Sequence, residues 1–122
     1  MTSKLDLKLR LLHDTDIAMG PGKAELLDAI ARTGSISAAG RELEMSYRRT
    51  WQLVDLMNRC FAEPLVRSAV GGQKGGGAQV TDMGFLVLER YRAMYAAAAA
   101  AAAPHAAGLA ELLRKDSPDT VI

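Results

Sequence analysis

A short segment in the middle of the chain concentrates side chains of the kind that recognise DNA. It reads Ser46-Tyr-Arg-Arg-Thr-Trp-Gln52 and follows a tight break at Glu44-Met45. Arginine can donate two hydrogen bonds to guanine O6 and N7, and glutamine can bind adenine N6 and N7. Hydroxyl groups can donate to phosphates, and the positive end of a helix adds to that attraction. The candidate DNA-contacting residues in this segment are therefore Ser46, Tyr47, Arg48, Arg49 and Gln52.

Two predicted helices position this segment. Ser35–Leu43 is typical of a short helix with Ser35 as its N-cap, and Ser46 is the candidate N-cap of the next helix. The residues expected to face the core recur at helical spacing: Ile36, Ala39 and Leu43 in the first helix, and Thr50, Val54 and Met57 in the second, with Leu53 and Phe61 extending the apolar side. Two helices joined by a tight turn, the second bearing DNA-type side chains at its start, are the layout of a helix-turn-helix.

Two features of the second helix leave alternatives open. Its arginines could belong to an ordinary solvated helix face and pair with Asp55 or Glu44. Trp51, the single tryptophan, could stack against DNA, but a half-buried position against the wing or the first strand is the commoner arrangement. The preceding helix, the tight turn and the hairpin that follows favour DNA reading over a plain solvated face.

A glycine-rich hairpin follows the second helix. Leu65–Val70 and Ala78–Thr81 read as two short strands, and the seven residues between the valine and the alanine include five glycines. The loop Gly71–Gly77 lacks the Gly-Lys-Ser or Gly-Lys-Thr ending of a P-loop and the spacing of a dinucleotide-binding loop. We therefore expect a wing in which Lys74, together with Arg67, contacts DNA phosphates. A merely flexible turn is the alternative.

The N-terminal flank shows two further patterns. Four leucines alternate with charged residues, namely Leu5, Leu7, Leu9 and Leu11. This period of two predicts a strand with one buried face, paired with the wing or with the same strand of a second subunit. Asp14–Gly22 reads as a break, and Lys23–Arg32 as an amphipathic helix that Gly34 ends. The apolar side of that helix is expected to comprise Leu26, Leu27, Ile30 and Ala31.

A long helix is predicted in the C-terminal part of the chain. It opens at Thr81-Asp82, and the alanine run at 96–103 has the highest helix propensity available. Its apolar content comes from Phe85, Leu86, Leu88, Tyr91, Met94 and Tyr95. Pro104 should kink or end the helix. A further helical piece is expected at Leu109–Arg114, with a frayed tail from Asp116.

Composition argues against several classes of protein. The chain has 122 residues and a net charge of +1, which indicates one domain, or one domain with an appendage, and no global basic signature. A local basic cluster lies in or beside the predicted motif and comprises Arg41, Arg48, Arg49, Arg59, Arg67 and Lys74. The sequence shows no nucleophile–base arrangement and no metal-ligand spacing, so we expect no enzyme, cofactor or metal. Cys60 is expected to be an unreactive, buried or half-buried thiol.

The sequence also bears on location. The first residues alternate in charge and lack the apolar core of a signal peptide. The run at 95–103 is too short and too weakly apolar to span a bilayer. We therefore expect a cytoplasmic protein that does not contact a membrane.

Several of these residues together resemble a known family. They are Gly34-Ser-Ile-Ser37, Ser46-Tyr47, Trp51, Met57-Asn58, Leu65-Val-Arg67, the loop Gly71–Gly77, and Thr81 followed by Gly84. The combination resembles the N-terminal DNA-binding domain of the molybdate-responsive ModE regulators. That domain is a winged helix-turn-helix related to the LysR-type one. The resemblance covers roughly Leu5 to Met94.

The resemblance implies a dimeric transcription factor. In the family, the first strand and the long C-terminal helix build the interface between subunits. Full-length members bind the oxyanion in a separate C-terminal domain. This chain ends at Ile122, and we expect that domain to be absent from it. Which small-molecule effector, if any, is sensed stays open at this point.

The sequence thus predicts an α+β, mostly helical, winged helix-turn-helix. We divide it into an N-terminal dimerisation strand at 1–14, a DNA-binding domain at 22–81, and a C-terminal helical dimerisation segment with a tail at 82–122. The expected function is transcriptional regulation by a homodimer that binds double-stranded DNA at a palindromic operator. The alternative is a winged-helix module for protein–protein docking, in which the alanine-rich helix is the working surface.

Overall fold

The structure is a computed structural model and describes residues 2–69 and 77–115. Within these ranges four helices and four short strands follow one another in the order ββαααββα. The helices are α1 Pro21–Thr33, α2 Ile36–Glu42, α3 Tyr47–Cys60 and α4 Asp82–Ala110; the strands are β1 Leu11–His13, β2 Asp16–Met19, β3 Val66–Ala69 and β4 Gly77–Val80. This is a winged helix-turn-helix, and the predicted fold class is confirmed.

Local capping sets the ends of the helices. Hydroxyl groups accept a backbone N–H at the start of three helices: Ser35 for α2, Ser46 for α3 and Thr81 for α4. Each cap satisfies a donor that the helix itself leaves without a partner. At the other end of α1, Gly34 adopts a φ of 71°, a left-handed conformation that glycine reaches at no steric cost. The predicted N-caps and the predicted end of α1 are confirmed.

The core lies between α1, α2, α3, the wing strands and the first half of α4. Its most completely buried large side chains are Met19, Leu26, Leu27, Ile30, Met57, Leu65 and Thr50. The prediction that Thr50, Val54 and Met57 face inward is confirmed. Among the other residues assigned to the core, Ala31 is exposed. Leu43 and Phe61 lie just past the ends of α2 and α3, where they are half-buried and pack against the core.

The helix-turn-helix angle is fixed by a close approach at Gly40. A Cβ atom on Gly40 would lie within 3.0 Å of the Thr50 Cβ and would overlap the Thr50 hydroxyl. That hydroxyl donates to the Ser46 carbonyl oxygen at 2.8 Å. The turn closes with the Met45 N–H donating to the Gly40 carbonyl oxygen at 2.8 Å. A glycine inside α2 therefore lets α3 pack at van der Waals distance.

The wing is an antiparallel pair in which Val66 lies opposite Val80. Its second strand is tied to the end of α1, because the Ala78 N–H donates to the Gly34 carbonyl oxygen at 2.9 Å. Where the wing meets α4, a Cβ on Gly84 would overlap the Leu65 carbonyl oxygen. The two predicted strands are therefore present, with β3 beginning at Val66 instead of Leu65 and β4 covering Gly77–Val80 instead of Ala78–Thr81. The loop between them, predicted as the wing tip, lies outside the described residues.

The N-terminal flank differs from the sequence prediction. Residues 2–10 contain no strand, and β1 begins only at Leu11, which is more than half exposed. Its partner is β2 within the region predicted to be a break, not the wing, and the two strands are joined by a turn with Asp14 at φ 56°. The residues before β1 instead lie alongside α4, where the Tyr91 hydroxyl donates to the Leu9 carbonyl oxygen at 2.9 Å. Alternation alone could not distinguish a strand from an extended segment lying on a helix.

The C-terminal helix is longer than predicted. α4 comprises 29 residues and continues through Pro104 and Gly108, so the proline does not end it. A proline removes one backbone hydrogen bond, but the alanines on either side favour the helix strongly enough to continue it. The separate helical piece predicted at Leu109–Arg114 is wrong, because α4 itself reaches Ala110 and a turn follows. The tail from Asp116 lies outside the described residues.

Candidate nucleic-acid interface

The N-terminal half of α3 presents the predicted DNA-contacting residues on the protein surface. Ser46 caps the helix by accepting the Arg49 N–H at 3.0 Å. The side chains of Ser46, Tyr47, Arg48, Arg49 and Gln52 are all exposed. The helix start carries partial positive charge, and its first turn contains no acidic residue. This end of α3 is therefore suited to a polyanion.

Helical geometry separates these residues into three rows. Thr50 and Val54 point into the core, so Arg48 and Gln52, which lie one turn apart, point most directly away from it. Tyr47 occupies one flank of this outer row and Arg49 the other. A helix that enters a major groove presents its outer row to the base edges and its flanks to the phosphates. The rows thus place Arg48 and Gln52 in the positions best suited to base contact.

The structure does not support the alternative in which the arginines at the start of α3 pair with Asp55 or Glu44. Asp55 accepts from Arg59 at 3.0 Å, one turn along the same helix. Within residues 2–69 and 77–115, neither Arg48 nor Arg49 forms an ion pair or a side-chain hydrogen bond, and Glu44 binds neither of them. Both guanidinium groups therefore keep their donors available for an external acceptor.

Trp51 lies on α3 among the predicted DNA-contacting residues and is 42% exposed. Its ring is 6.1 Å from that of Tyr47, at an angle of 55°. A tilted pair of this kind stiffens two large side chains at modest entropic cost. Trp51 is thus more exposed than the expected half-buried position, and it contacts Tyr47 within α3.

Asn58 holds the wing against the C-terminal half of α3. Its amide oxygen accepts from the Leu65 and Val66 N–H groups at 2.8 and 3.1 Å, and its amide nitrogen donates to the Val66 carbonyl oxygen at 3.0 Å. Arg67, one residue further along β3, is exposed as its predicted role requires. Lys74, the predicted phosphate contact at the wing tip, lies outside the described residues.

An ion-pair network joins three helices behind this face. Within α1, Arg32 binds Asp28, and it also binds Glu42 of α2. Asp28 in turn accepts a hydrogen bond from Arg92 of α4 at 2.7 Å. Hydrogen bonds from Arg32 and then from Arg92 hold the pKa of the Asp28 carboxyl below its ordinary value. The hydrogen bond from Arg32 likewise lowers the pKa of Glu42. Sequence reasoning missed this network because Glu42 and Arg92 lie on different helices from the Asp28–Arg32 pair of α1.

Other kinds of site find little support in the described part of the chain. Residues 2–69 and 77–115 contain no group of three or more His, Cys, Asp or Glu side chains placed to hold a metal ion. Cys60 is a half-buried free thiol, as predicted. None of the described helices is long and apolar enough to cross a membrane.

Curated relatives match most of this chain but only part of their own length. The chain is 41% identical over 87 residues to the molybdenum transport protein ModE of Azotobacter vinelandii, which covers 70% of this chain and 32% of the relative. It is 45% identical over 89 residues to the molybdenum-pterin-binding protein MopB of Rhodobacter capsulatus, covering 73% and 33%. Identity to the DNA-binding transcriptional dual regulator ModE of Escherichia coli K12 is 37% over 86 residues, covering 70% and 33%. The chain thus spans about a third of the length of the curated relatives it matches.

Solved structures agree on the fold. The DNA-binding domain in the CbnR_DBD–DNA complex superimposes with a TM-score of 0.57 at 18% identity, covering 72% of this chain and 95% of that one. The full-length LysR-type protein LysG from Corynebacterium glutamicum, with bound effector arginine, gives a TM-score of 0.54 at 25% identity, covering 76% and 30%. No protein-family profile matches the chain. The sequence relatives and the shared fold together show that this chain contains a winged helix-turn-helix domain of the ModE family.

Proposed function

We propose that this chain binds double-stranded DNA and acts as the DNA-reading part of a transcriptional regulator. The observation that carries the proposal is the outer face of α3, where Arg48 and Gln52 project from the helix with all their donors available. Ser46, Tyr47 and Arg49 flank them, and Arg67 and Lys74 extend the phosphate contacts through the wing. The relatives named as transcriptional regulators support this function.

The direct test is the double substitution Arg48→Ala with Arg49→Ala. Both side chains are exposed, so the variant should fold normally. A bidentate arginine–guanine pair contributes about 1–3 kcal/mol of discrimination between bases, so the variant should lose specific binding. Arg59→Ala is a matched control, because it removes an arginine that is paired with Asp55 on the same helix. Wild-type operator affinity in the double variant, measured by fluorescence anisotropy, would contradict the assignment.

The proposed functional unit is a homodimer. α4 is about 44 Å long, far longer than the core it covers, and carries exposed Leu86 and Met94. These two residues border an apolar groove of about 270 Å³ that also includes Leu11 of β1. A twofold dimer is the commonest closed assembly. Pairing through this surface would set two α3 helices about one DNA turn, roughly 34 Å, or a multiple of it apart, which matches a palindromic operator.

Regulation linked to molybdenum or a related oxyanion is the proposed physiological context. Three of the matching relatives carry molybdenum in their names. A regulator of this kind works where the chromosome is, so we propose a cytoplasmic location. No effector is assigned to the residues described here.

Protein–protein docking is the second candidate, and the exposed apolar residues of α4 favour it. Salt distinguishes the two candidates. The affinity of a DNA complex falls steeply as salt rises, because binding releases counterions from the phosphates. An apolar docking surface responds little to the same change. If the affinity of every detectable complex changed little with salt concentration, protein–protein docking would be favoured.

A further inference from the structure

A pocket of about 330 Å³ lies where α1 begins, next to α3. We call it the α1 pocket. Its wall combines the first residues of α1, part of the segment before β1, and one side of α3. Four of its lining side chains are cationic, namely Lys8, Arg10, Lys23 and Arg49. None of its lining side chains is a carboxylate.

The helix start that opens into this pocket is uncapped. The N-cap residue Gly20 has no side chain to accept a hydrogen bond, and Pro21 follows it. The first hydrogen bond of α1 runs from the Ala24 N–H to the Gly20 carbonyl oxygen at 2.9 Å. The N–H groups of Gly22 and Lys23 precede that bond, and the structure records no acceptor for them in the part of the chain it describes. A Cβ on Gly22 would meet nothing within 4 Å, so the side-chain side of this glycine is open, and both residues line the pocket.

Lys23 lies beside this helix start with most of its side chain buried, while its ammonium group reaches solvent without a partner among the described residues. Only 8% of the residue is exposed, and it forms neither an ion pair nor a hydrogen bond with the described residues. Burial lowers the pKa of Lys23, and Arg49 and Arg10 lower it further, against opposing effects of Cys60 and Asp16. A cation at the start of a helix also faces the positive end of the helix dipole. An anion in the pocket would offset the repulsion among these positive charges and the positive end of the helix.

The geometry brings further donors to the same point. Gly20 leaves room for Arg10, whose Cγ would lie 3.4 Å from a Cβ placed on that glycine. The aliphatic part of Arg10 can therefore cross the helix start. Lys8 has one carboxylate nearby, Asp6, at 3.9 Å, and both side chains are well exposed. Such a solvated pair is weak and leaves the lysine free to bind an anion.

We propose that the α1 pocket binds a phosphate-type oxyanion, and that in the DNA complex it holds a backbone phosphate beside the bases that α3 reads. The second part rests on the proposed function. Arg49 links the two sites, because it lies on the flank of α3 next to Arg48 and also lines the pocket. The backbone N–H groups of Gly22 and Lys23 donate to the oxyanion, and Lys23 neutralises its charge. Helix starts with free N–H groups bind phosphates in many proteins.

The first measurement needs no DNA. Inorganic phosphate is titrated into the full chain at constant ionic strength, and the amide resonances of Gly22 and Lys23 are followed by NMR. Wild-type protein should show saturable shifts at both amides. Lys23→Met, which keeps the length and apolar stem of the side chain, should weaken phosphate binding at least tenfold. Lys4→Met is the matched control, because it removes an exposed lysine that does not line the pocket.

The second measurement uses duplex DNA. Removal of one phosphate contact should reduce the magnitude of the slope of log K against log salt by about one. We expect this reduction for Lys23→Met and not for Lys4→Met. Arg10→Gln removes a second lining cation at an exposed position, so it serves the same test should Lys23→Met fail to fold.

The outcomes separate the possible sources of the oxyanion. A reduced slope, with or without saturable phosphate shifts, supports a DNA phosphate. Phosphate shifts that depend on Lys23 while the slope is unchanged support a free oxyanion in the same pocket. If the phosphate shifts appear but the protein binds no DNA, the proposed function is wrong, whereas the oxyanion site in the α1 pocket is retained. Absence of saturable shifts together with an unchanged slope would overturn the proposal.

Discussion

Gly40 and Gly108 both lie inside helices, yet their surroundings are opposite. Gly40 of α2 is pressed against α3, and a Cβ there would overlap the Thr50 hydroxyl. Gly108 of α4 has open space around it, and a Cβ there would meet nothing within 4 Å. One glycine is required by packing between elements. The other is tolerated because nothing in the described chain packs against it.

The same contrast holds for the two regions in which these glycines lie. The helix-turn-helix and wing are connected by backbone contacts and by Asn58, so their mutual positions are determined within one chain. The second half of α4 is helical chiefly because alanine favours the helix. Its leucines remain exposed, with Leu112 just beyond the helix at 81%. The described parts of the helix-turn-helix and wing are thus held together within one chain, whereas the far half of α4 leaves apolar side chains exposed, as surfaces that bind a partner do.

Gly40→Ala should produce the largest effect on stability. The added methyl group must push Thr50, and with it α3, away from α2. Overpacking a tight contact costs about 3 kcal/mol at the upper end of the usual range. Urea unfolding followed by circular dichroism measures the loss. A loss of less than about 1 kcal/mol would show that α3 can shift freely and that the close approach does not fix the reading helix.

Met94→Asp should weaken the proposed dimer without unfolding the protomer. Met94 is 41% exposed and borders the apolar groove on α4. A buried, unpaired carboxylate in an interface should raise the dimer dissociation constant by about thirtyfold, or about 2 kcal/mol. Sedimentation equilibrium measures that constant. Ala93→Asp is the control, since the next residue lies about 100° around the helix. A wild-type protein that is monomeric at tens of micromolar would contradict the dimer.

Gly108→Ala should stabilise the protein, in contrast to the same change at Gly40. Alanine is favoured over glycine in a helix interior by about 1 kcal/mol, and no neighbouring atom opposes the added methyl group. Because the end of a helix can fray independently, the gain should appear most clearly as slower hydrogen exchange in the last turns of α4. Slower exchange is therefore the expected result. A destabilised variant would indicate that a partner or another segment packs closely against Gly108.

Asp28→Asn should have the smallest effect, and that effect should depend on pH. The folded-state pKa of Asp28 lies below its ordinary value of 3.8, so the ion pairs stabilise the fold above that value. This contribution is lost as the pH falls through the depressed pKa. The carboxylate side chain is 36% exposed, so screening limits the difference at pH 7 to about 0.5 kcal/mol. Unfolding of both proteins at pH 7 and at strongly acidic pH measures this difference, which should vanish in acid. A difference that persists in acid would exclude the ion pairs as its cause.

The elements that sequence reasoning predicted well are those set by nearby residues. Ser35, Ser46 and Thr81 each cap a helix, and Gly34 ends one, because caps depend on residues only a few positions apart. The inward face of α3 followed from helical spacing alone. The exposed reading face is the complement of that inward face, so the positions of Arg48 and Gln52 on the surface were predictable as well.

Elements that depend on distant contacts were predicted poorly. The leucine alternation near the N-terminus indicated a strand, but Leu9 lies against α4 and the short hairpin forms later in the chain. The alternation is compatible with either arrangement, and only the presence of Tyr91 on α4 decides between them. The continuation of α4 through Pro104 has a different cause, because it reflects the combined local helix propensity of the neighbouring residues.

By itself, the sequence determined the winged helix-turn-helix, the capped helix ends and the row of DNA-type side chains on α3, because all of these depend on local spacing and capping. The tertiary structure decided which surfaces meet. It brought Lys8 and Arg10 from the N-terminal segment to Lys23 and to Arg49 of α3, and so created the α1 pocket. No sequence period links residues from three separate segments. Only the packing of α1 against α3 places their charges at one point in space.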